Sequence, residues 1–340
     1  LQNVGSPSNG IVVRVLDTSD AKTFEFVNHG TLSANNAAIE SRGYTDTIIN
    51  SGEINGNLRL GEWESNQAAF SDSVTNTGSI FGSIFLGFGD DQVLGQTGFI
   101  EGTIKAGNGD DLIKSGTGDD MIIGGAGADE MWGGAGVDTA SYEGSADGVR
   151  VSLNAGRGWF GQAQGDALHE IENLIGSDRQ DTLIGNSAAN MLEGGNADDI
   201  LSAFGGDDTL FGGNGEDNIV GGNGNDYISG DRHRDRLTGG DGEDIFAFLN
   251  ILDSGPANTE RDNITDFTQG QDLIDLTALG DLFFGGTAFS GSAGEIIYYH
   301  VAGGTRTVVE IDTDGDTVAD FGILLSNAAH TMTAADFLFV

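Results

Sequence analysis

Cysteine is absent from this chain, and proline occurs only as Pro7 and Pro256. No disulfide can staple the fold, and thiol chemistry is excluded. Positive charge is scarce: 14 Lys and Arg stand against 53 Asp and Glu, a formal charge of −39. That excludes nucleic-acid binding as the leading reading, because phosphate contact needs cations. It also makes the metal-free chain self-repelling. No apolar run approaches the roughly 20 residues of a membrane-spanning helix. Residues 1–20 lack a basic stretch followed by an apolar core, so no Sec-type leader is expected there. The zinc-protease pattern His-Glu-x-x-His is missing, since Asn173 stands where His169-Glu170 would need its second His. No Gly-x-Ser-x-Gly elbow is present. The five His, at 29, 169, 233, 300 and 330, are scattered, and no catalytic residue is assigned.

What the chain has is glycine, 57 residues of it, in a fixed phase with aspartate. Residues 176–247 divide into eight consecutive nine-residue units, the clearest being Gly221-Gly222-Asn223-Gly224-Asn225-Asp226-Tyr227-Ile228-Ser229. Position six reads Asp181, Asn190, Asp199, Asp208, Asp217, Asp226, Asp235, Asp244; position eight reads Leu183, Leu192, Leu201, Leu210, Ile219, Ile228, Leu237, Phe246. A short strand buries position eight, and the six residues before it reverse the chain. Glycines at positions one, two and four permit positive φ and close backbone approach. Two units then make one turn of a flattened solenoid, so loops two units apart stack on one edge. Carbonyls and position-six carboxylates converge there, an all-oxygen environment that suits Ca²⁺ better than Mg²⁺.

This repeat resembles the calcium-binding nonapeptide of RTX proteins. Four further units, 106–114, 115–123, 124–132 and 133–141, carry Asp111, Asp120, Asp129 and Asp138 at position six. Upstream, Asn28-His29-Gly30, Asn50-Ser51-Gly52, Asn76-Thr77-Gly78 and Gln96-Thr97-Gly98 head looser rungs, each followed by an apolar residue two positions on. They resemble the N-x-G-x-I rungs of bacterial surface β-helix proteins. The stretch Ile11-Val12-Val13-Arg14-Val15-Leu16 reads as a short strand.

Residues 142–175 interrupt the repeat and resemble the insertion between roll blocks of RTX proteins. Their end, Ala167 to Ile175, reads as a strand or a short helix. After 247, glycine thins. Arg261-Asp262-Asn263-Ile264-Thr265-Asp266-Phe267, Gly270-Gln271-Asp272-Leu273-Ile274-Asp275-Leu276 and the final Ala334-Ala335-Asp336-Phe337-Leu338-Phe339-Val340 are similar to the serralysin-type secreted proteins. That resemblance implies an uncleaved C-terminal type I secretion signal. Asp312-Thr313-Asp314-Gly315-Asp316 looks like an EF-hand start, but Thr317 stands where that loop requires Gly. A β-hairpin with an Asp-Gly turn is expected instead.

The expected fold is all-β: a parallel β-helix/β-roll solenoid with calcium-binding nonapeptide turns and a C-terminal β-rich cap. The expected divisions are a β-helix-like region 1–105, a first roll 106–141, an insertion 142–175, a second roll 176–247 and a secretion domain 248–340. Calcium sites are expected where two intact loops pair. In the first roll, 106–111 pairs with 124–129 and 115–120 with 133–138, through Asp111, Asp129, Asp120 and Asp138. In the second, Gly194, Asn196 and Asp199 pair with Gly212, Asn214, Gly215 and Asp217. Gly206 and Asp208 pair with Gly221, Asn223, Gly224 and Asp226, and the latter also with Gly239, Asp241, Gly242 and Asp244. Loops carrying Arg179, Asn190 or Arg232-His233-Arg234 are expected to be poor sites. Asp90 and Asp91 offer one more pairing, with the loop ending at Asp111.

The expected function is a secreted calcium-binding protein that folds on meeting Ca²⁺ after type I export, with a surface-layer, matrix or adhesion role. Self-association or a cell-surface polysaccharide are the further partners considered. Two alternatives stand beside it. One is a β-helix lyase or epimerase acting on polysaccharide, using Arg42, Tyr44, Arg59, Glu62 and Glu64. The other is the export module of a larger secreted hydrolase.

Overall fold

A strand points alternate side chains to opposite faces. A unit with one buried position per short strand therefore stays folded only if the next turn of chain covers it. The computed structural model describes residues 2–3, 13–15, 23–41, 45–61 and 70–339. Of the expected features, most of 11–16, Arg42, Tyr44, Glu62, Glu64 and Val340 lie outside them. The chain separates into two compact units, Leu1–Ile175 and Gly176–Val340. Among the described residues there is no α-helix, only three short 3₁₀ turns between strands.

In the first unit, parallel strands stack so that apolar side chains form three buried lines. Phe26, Ile48, Val74, Val93, Ile113, Met131 and Leu168 are partners in turn. Ile39, Leu58, Ile84, Ile104, Ile122, Ala140 and Leu174 form the second line. Leu32, Ile54, Ile80 and Ile100 form the third. All are buried. The third line ends at Ile100, where only Phe99 reaches the next strand, opposite Thr117. The tandem units explain why: eighteen residues supply two apolar beats and no third. Three-sided rungs thus become two-sided ones within one stack.

The insertion leaves this stack and rejoins it. Strands Arg150–Ser152 and Arg157–Trp159 form an antiparallel hairpin. The chain then returns as two strands and no helix. Ala167–His169 lies beside Glu130–Ala135, and Asn173–Ile175 beside Thr139–Ser141.

The second unit has two buried lines. One runs Leu183, Leu201, Ile219, Leu237, Ile264 and Leu325. The other runs Leu192, Leu210, Ile228, Phe246, Ile274 and Phe337. Their last members come from the region after the repeats, so the stack continues when the repeat has stopped. Strands Glu295–Val301, Arg306–Asp312 and Phe321–Leu325 form an antiparallel meander. The buried Arg261 ties it down through an ion pair with Glu310. Arg306–Asp312 and Phe321–Leu325 form the expected hairpin, but eight residues, 313–320, connect them in place of a tight Asp-Gly turn.

The looser rungs are held by amides as well as by apolar lines. Asn28 Nδ2 donates to Asn50 Oδ1 at 2.8 Å, and Asn50 Nδ2 to Asn76 Oδ1 at 2.8 Å. All three are fully buried. Close stacking requires glycine beside them, since a Cβ on Gly52 or Gly78 would strike the backbone of the preceding rung. The Asn50→Ala variant leaves buried amide groups unpaired and is expected to lose about 1–3 kcal/mol. Denaturant unfolding of the calcium-saturated protein checks this, and an unchanged midpoint contradicts it.

Candidate metal centre

Each nonapeptide loop brings its position-six carboxylate into the interior, where Asp199, Asp208, Asp217, Asp226 and Asp244 are all buried. Position one is glycine in the loops of Asp199, Asp217, Asp226 and Asp244 for that reason. A Cβ on Gly194, Gly212, Gly221 or Gly239 would collide with Oδ2 of Asp199, Asp217, Asp226 or Asp244 respectively. Position four turns the chain with positive φ: +107° at Gly206, +155° at Gly215, +129° at Gly224 and +153° at Gly242. Position-three residues join adjacent turns. Asn214 Nδ2 donates to Asn196 Oδ1 at 2.8 Å, while the carbonyls of Asn223 and Asp241 accept the N–H groups of Gly206 and Gly224 at 2.9 and 2.8 Å.

The two oxygens of each carboxylate then part company, except at Asp120, where both are buried without a hydrogen-bond partner. Oδ1 accepts the backbone N–H of the position-six residue one turn earlier. Asp208 N–H donates to Asp226 at 2.9 Å, Asp226 N–H to Asp244 at 3.0 Å, and Asp199 N–H to Asp217 at 2.7 Å. In the first unit, Asp111 N–H donates to Asp129 at 3.0 Å and Asp120 N–H to Asp138 at 2.8 Å. Oδ2 is buried and has no hydrogen-bond partner at Asp111, Asp120, Asp129, Asp138, Asp199, Asp208, Asp217, Asp226 and Asp244. A buried carboxylate oxygen without a partner carries a desolvation cost that a bound cation removes. The surrounding donors are carboxylates and backbone carbonyls, hard oxygen ligands of the kind Ca²⁺ takes at about 2.3–2.6 Å. The residues present fit calcium. It would supply the positive charge that the loops lack.

The loops expected to be poor sites differ among themselves. Ser177 donates its N–H and hydroxyl to Oδ2 of Asp181, and Asn186 N–H donates to Oδ1 of Asn190 at 2.8 Å. Those side chains are satisfied by their own loops. Asp235 keeps a buried, partnerless Oδ2 despite Arg232 and Arg234. Its loop holds Asp231 and His233 at φ +61° and +85°, where intact loops carry glycine. The tandem units leave out four carboxylates, of which Asp91 is the one expected as a partner of the loop ending at Asp111. Asp91 and Asp262 also have buried, partnerless Oδ2 atoms. Asp272 accepts Asp244 N–H at 3.2 Å, continuing a line past the last repeat. Asp166 takes the place of a position-six residue for Asp129, but the Tyr142 hydroxyl satisfies its Oδ2 at 3.0 Å. Only the Gly-Phe-Gly-Asp-Asp around Asp91 shows a repeat-like signal in sequence. Apart from the solenoid, Asp312, Asp314 and Asp320 bring carboxylate oxygens within 4.8 Å of one another in the hairpin loop.

These features define a calcium-binding β-roll. Profile comparison gives its family: the peptidase M10 serralysin C-terminal profile matches residues 130–339, well over half of the chain. The profile of the RTX calcium-binding nonapeptide repeat (4 copies) matches residues 105–140. The chain belongs to the serralysin C-terminal family and carries RTX repeats, which bind Ca²⁺. Both features point to a secreted protein, and no helix among the described residues is long and apolar enough to cross a membrane. Two solved structures are similar in sequence, both subunits of the Azotobacter vinelandii mannuronan C5-epimerase. AlgE6R2 is 32% identical, over 45% of this chain and 92% of its own, with a TM-score of 0.28. AlgE6R3 is 30% identical, over 46% and 80%, with a TM-score of 0.26. No curated protein matches the chain.

Burial, reinforced by neighbouring carboxylates, raises the pKa values of the loop aspartates. Asp111 and Asp199 are pushed up to about 8, Asp217 and Asp244 to about 7, and Asp208 and Asp226 to about 6. The unfolded chain keeps the ordinary value near 3.8. The folded, metal-free state thus binds more protons between about pH 4 and 8, and its stability falls as the pH rises through that window. In EGTA, lowering the pH from 8 to 5 is expected to increase the β-sheet circular dichroism. Saturating Ca²⁺ should flatten the dependence. A β signal that grows with pH in EGTA contradicts this.

Proposed function

We propose that this chain is an exported structural protein whose rolls fold on meeting calcium outside the cell. The observation that carries the proposal is the repeated carboxylate with one satisfied and one orphaned oxygen. At a formal charge of −39 and without disulfides, the metal-free rolls repel themselves and thread an exporter as an unfolded chain. Outside, each ion that binds only the folded state stabilises it by RT ln(1 + [L]/Kd), about 2.7 kcal/mol at a hundredfold excess over Kd.

In this reading, 1–105 is a β-helix-like region, 106–141 a first calcium roll, 142–175 an insertion, 176–247 a second calcium roll, and 248–340 the domain recognised by a type I exporter. Membership of the serralysin C-terminal family supports that last assignment. The repeated position-six aspartates are the metal ligands. The product is a surface-layer, matrix or adhesion component. Of the groove proposed for a polysaccharide enzyme, only Arg59 is described, and its guanidinium lies 4.6 Å from the centre of the Phe85 ring. A second reading, an export module from a larger hydrolase, is favoured by one finding: the matching profile is that of a peptidase C terminus.

Circular dichroism in EGTA and in millimolar Ca²⁺ tests the switch. The β signal is expected to appear with Ca²⁺, and an equal signal in both sinks it. Asp226→Asn, which keeps the shape but removes a charge shared by two loop pairs, is expected to raise the Ca²⁺ midpoint at least severalfold. Light scattering on Ca²⁺ addition tests assembly, and a strictly monomeric species counts against the structural role.

A further inference from the structure

The line of aspartates does not begin with the tandem repeats. Asp72 N–H donates to Asp91 Oδ1 at 2.6 Å, Asp91 N–H to Asp111 Oδ1 at 2.8 Å, and Asp111 N–H to Asp129 Oδ1 at 3.0 Å. Loop 86–91 lies outside both matched segments, 105–140 and 130–339. Its strand, Gln92–Leu94, pairs on one side with Ser73–Asn76 and on the other with Leu112–Thr117. It stands where the three-sided rungs give way to the two-sided roll.

The loop nevertheless stacks on 106–111 as 106–111 stacks on 124–129. Gly87 is in register with Gly107, and Gly107 with Gly125. Gly87 and Gly89 have φ of +111° and +135°, matching +122° and +133° at Gly107 and Gly109. Gly89 N–H donates to the Asn108 carbonyl at 2.8 Å, as Gly109 N–H does to that of Ala126 at 2.8 Å. Asp110 N–H donates to Asp90 Oδ1 at 3.0 Å, as Ala128 N–H does to Asp110 Oδ1 at 2.8 Å. The sixth position has the same two-faced carboxylate. Asp91 is 1% exposed and Asp111 3%, and both Oδ2 atoms are buried without a partner. Position one departs from glycine, with Leu86 here and Ala106 in the next loop. Ala106 lies within the segment that the repeat profile matches, so glycine there is not obligatory for the motif.

We propose that loops 86–91 and 106–111 hold a further Ca²⁺ between them, with Asp91 and Asp111 as its carboxylate ligands. The ion fastens the looser rungs to the roll and extends calcium-dependent folding upstream of the repeats. The inference rests on the calcium reading of the rolls.

Native mass spectrometry of the calcium-loaded full chain counts the ions. Asp91→Asn is expected to bind one fewer Ca²⁺ than the parent protein. Faster hydrogen exchange is expected in Ser73–Asn76 and Gln92–Leu94, with Met191–Asn196 unchanged. An unchanged ion count overturns the proposal. A parent protein that binds no Ca²⁺ overturns the underlying reading of the rolls instead. Should Asp91→Asn fail to fold, Phe88→Trp supplies the test, because it places an indole in the loop. Loaded with Tb³⁺, that variant is expected to give sensitised emission above the parent's, lost on adding Ca²⁺. Emission equal to the parent's overturns the proposal.

Discussion

The structure depends on how a buried aspartate divides its two oxygens. One accepts a backbone N–H from the turn before, as Asp226 does from Asp208. That bond sets the spacing and register of consecutive turns without help from outside. The other oxygen is left in the interior with nothing to bond. A single bond of the first kind contributes modestly, whereas an oxygen of the second kind is expensive to bury. The same residue thus builds the stack and makes it conditional. Repeated along two edges, it makes folding depend on a cation that the sequence itself does not contain.

The exceptions show the same rule. Asp166 would be one more orphan, but the insertion brings the Tyr142 hydroxyl against it. Asp181 is satisfied by Ser177 at the head of its own loop. At both places a protein hydroxyl stands where other loops offer an open oxygen. Asp235 and Asp262 go the other way. Burial first, then the repulsion of Asp262 at Asp235 and of Asp253 and Asp217 at Asp262, push both well above the usual carboxylate range, although the charge of Arg234 opposes the shift at Asp262. Cations in a loop do not by themselves satisfy a carboxylate oxygen; they have to reach it.

The apolar lines explain how such different segments share one architecture. Rungs with irregular loops, tandem nonapeptides and the strands after residue 247 each place an apolar side chain where the previous turn has another. Ile264 follows Leu237, and Ile274 follows Phe246. Length between those positions is free to vary because the excess leaves the stack as loop or hairpin, as residues 142–175 do. The serralysin-type segment is therefore continuous in packing with the roll it follows.

Periodicity made the rolls, their buried positions and most of the aspartates with orphaned oxygens legible in the sequence, because an eighteen-residue turn repeats both the apolar and the acidic beat. The rungs headed by Asn28, Asn50 and Asn76 were legible as rungs, but not as an amide ladder, since side-chain bonding across turns leaves no mark on spacing. Asp262 and Asp272 could not be placed from the sequence: they lie 27 and 28 residues beyond their partners Asp235 and Asp244, outside any period. The hydroxyl of Tyr142 finds Asp166 only because the intervening hairpin folds back. The sequence by itself determined the acidic, glycine-paced solenoid and its demand for calcium, because charge and period are local properties. Which carboxylates are left open and which are closed by a neighbour was decided by the tertiary structure alone, because that depends on what each irregular segment brings back to the stack.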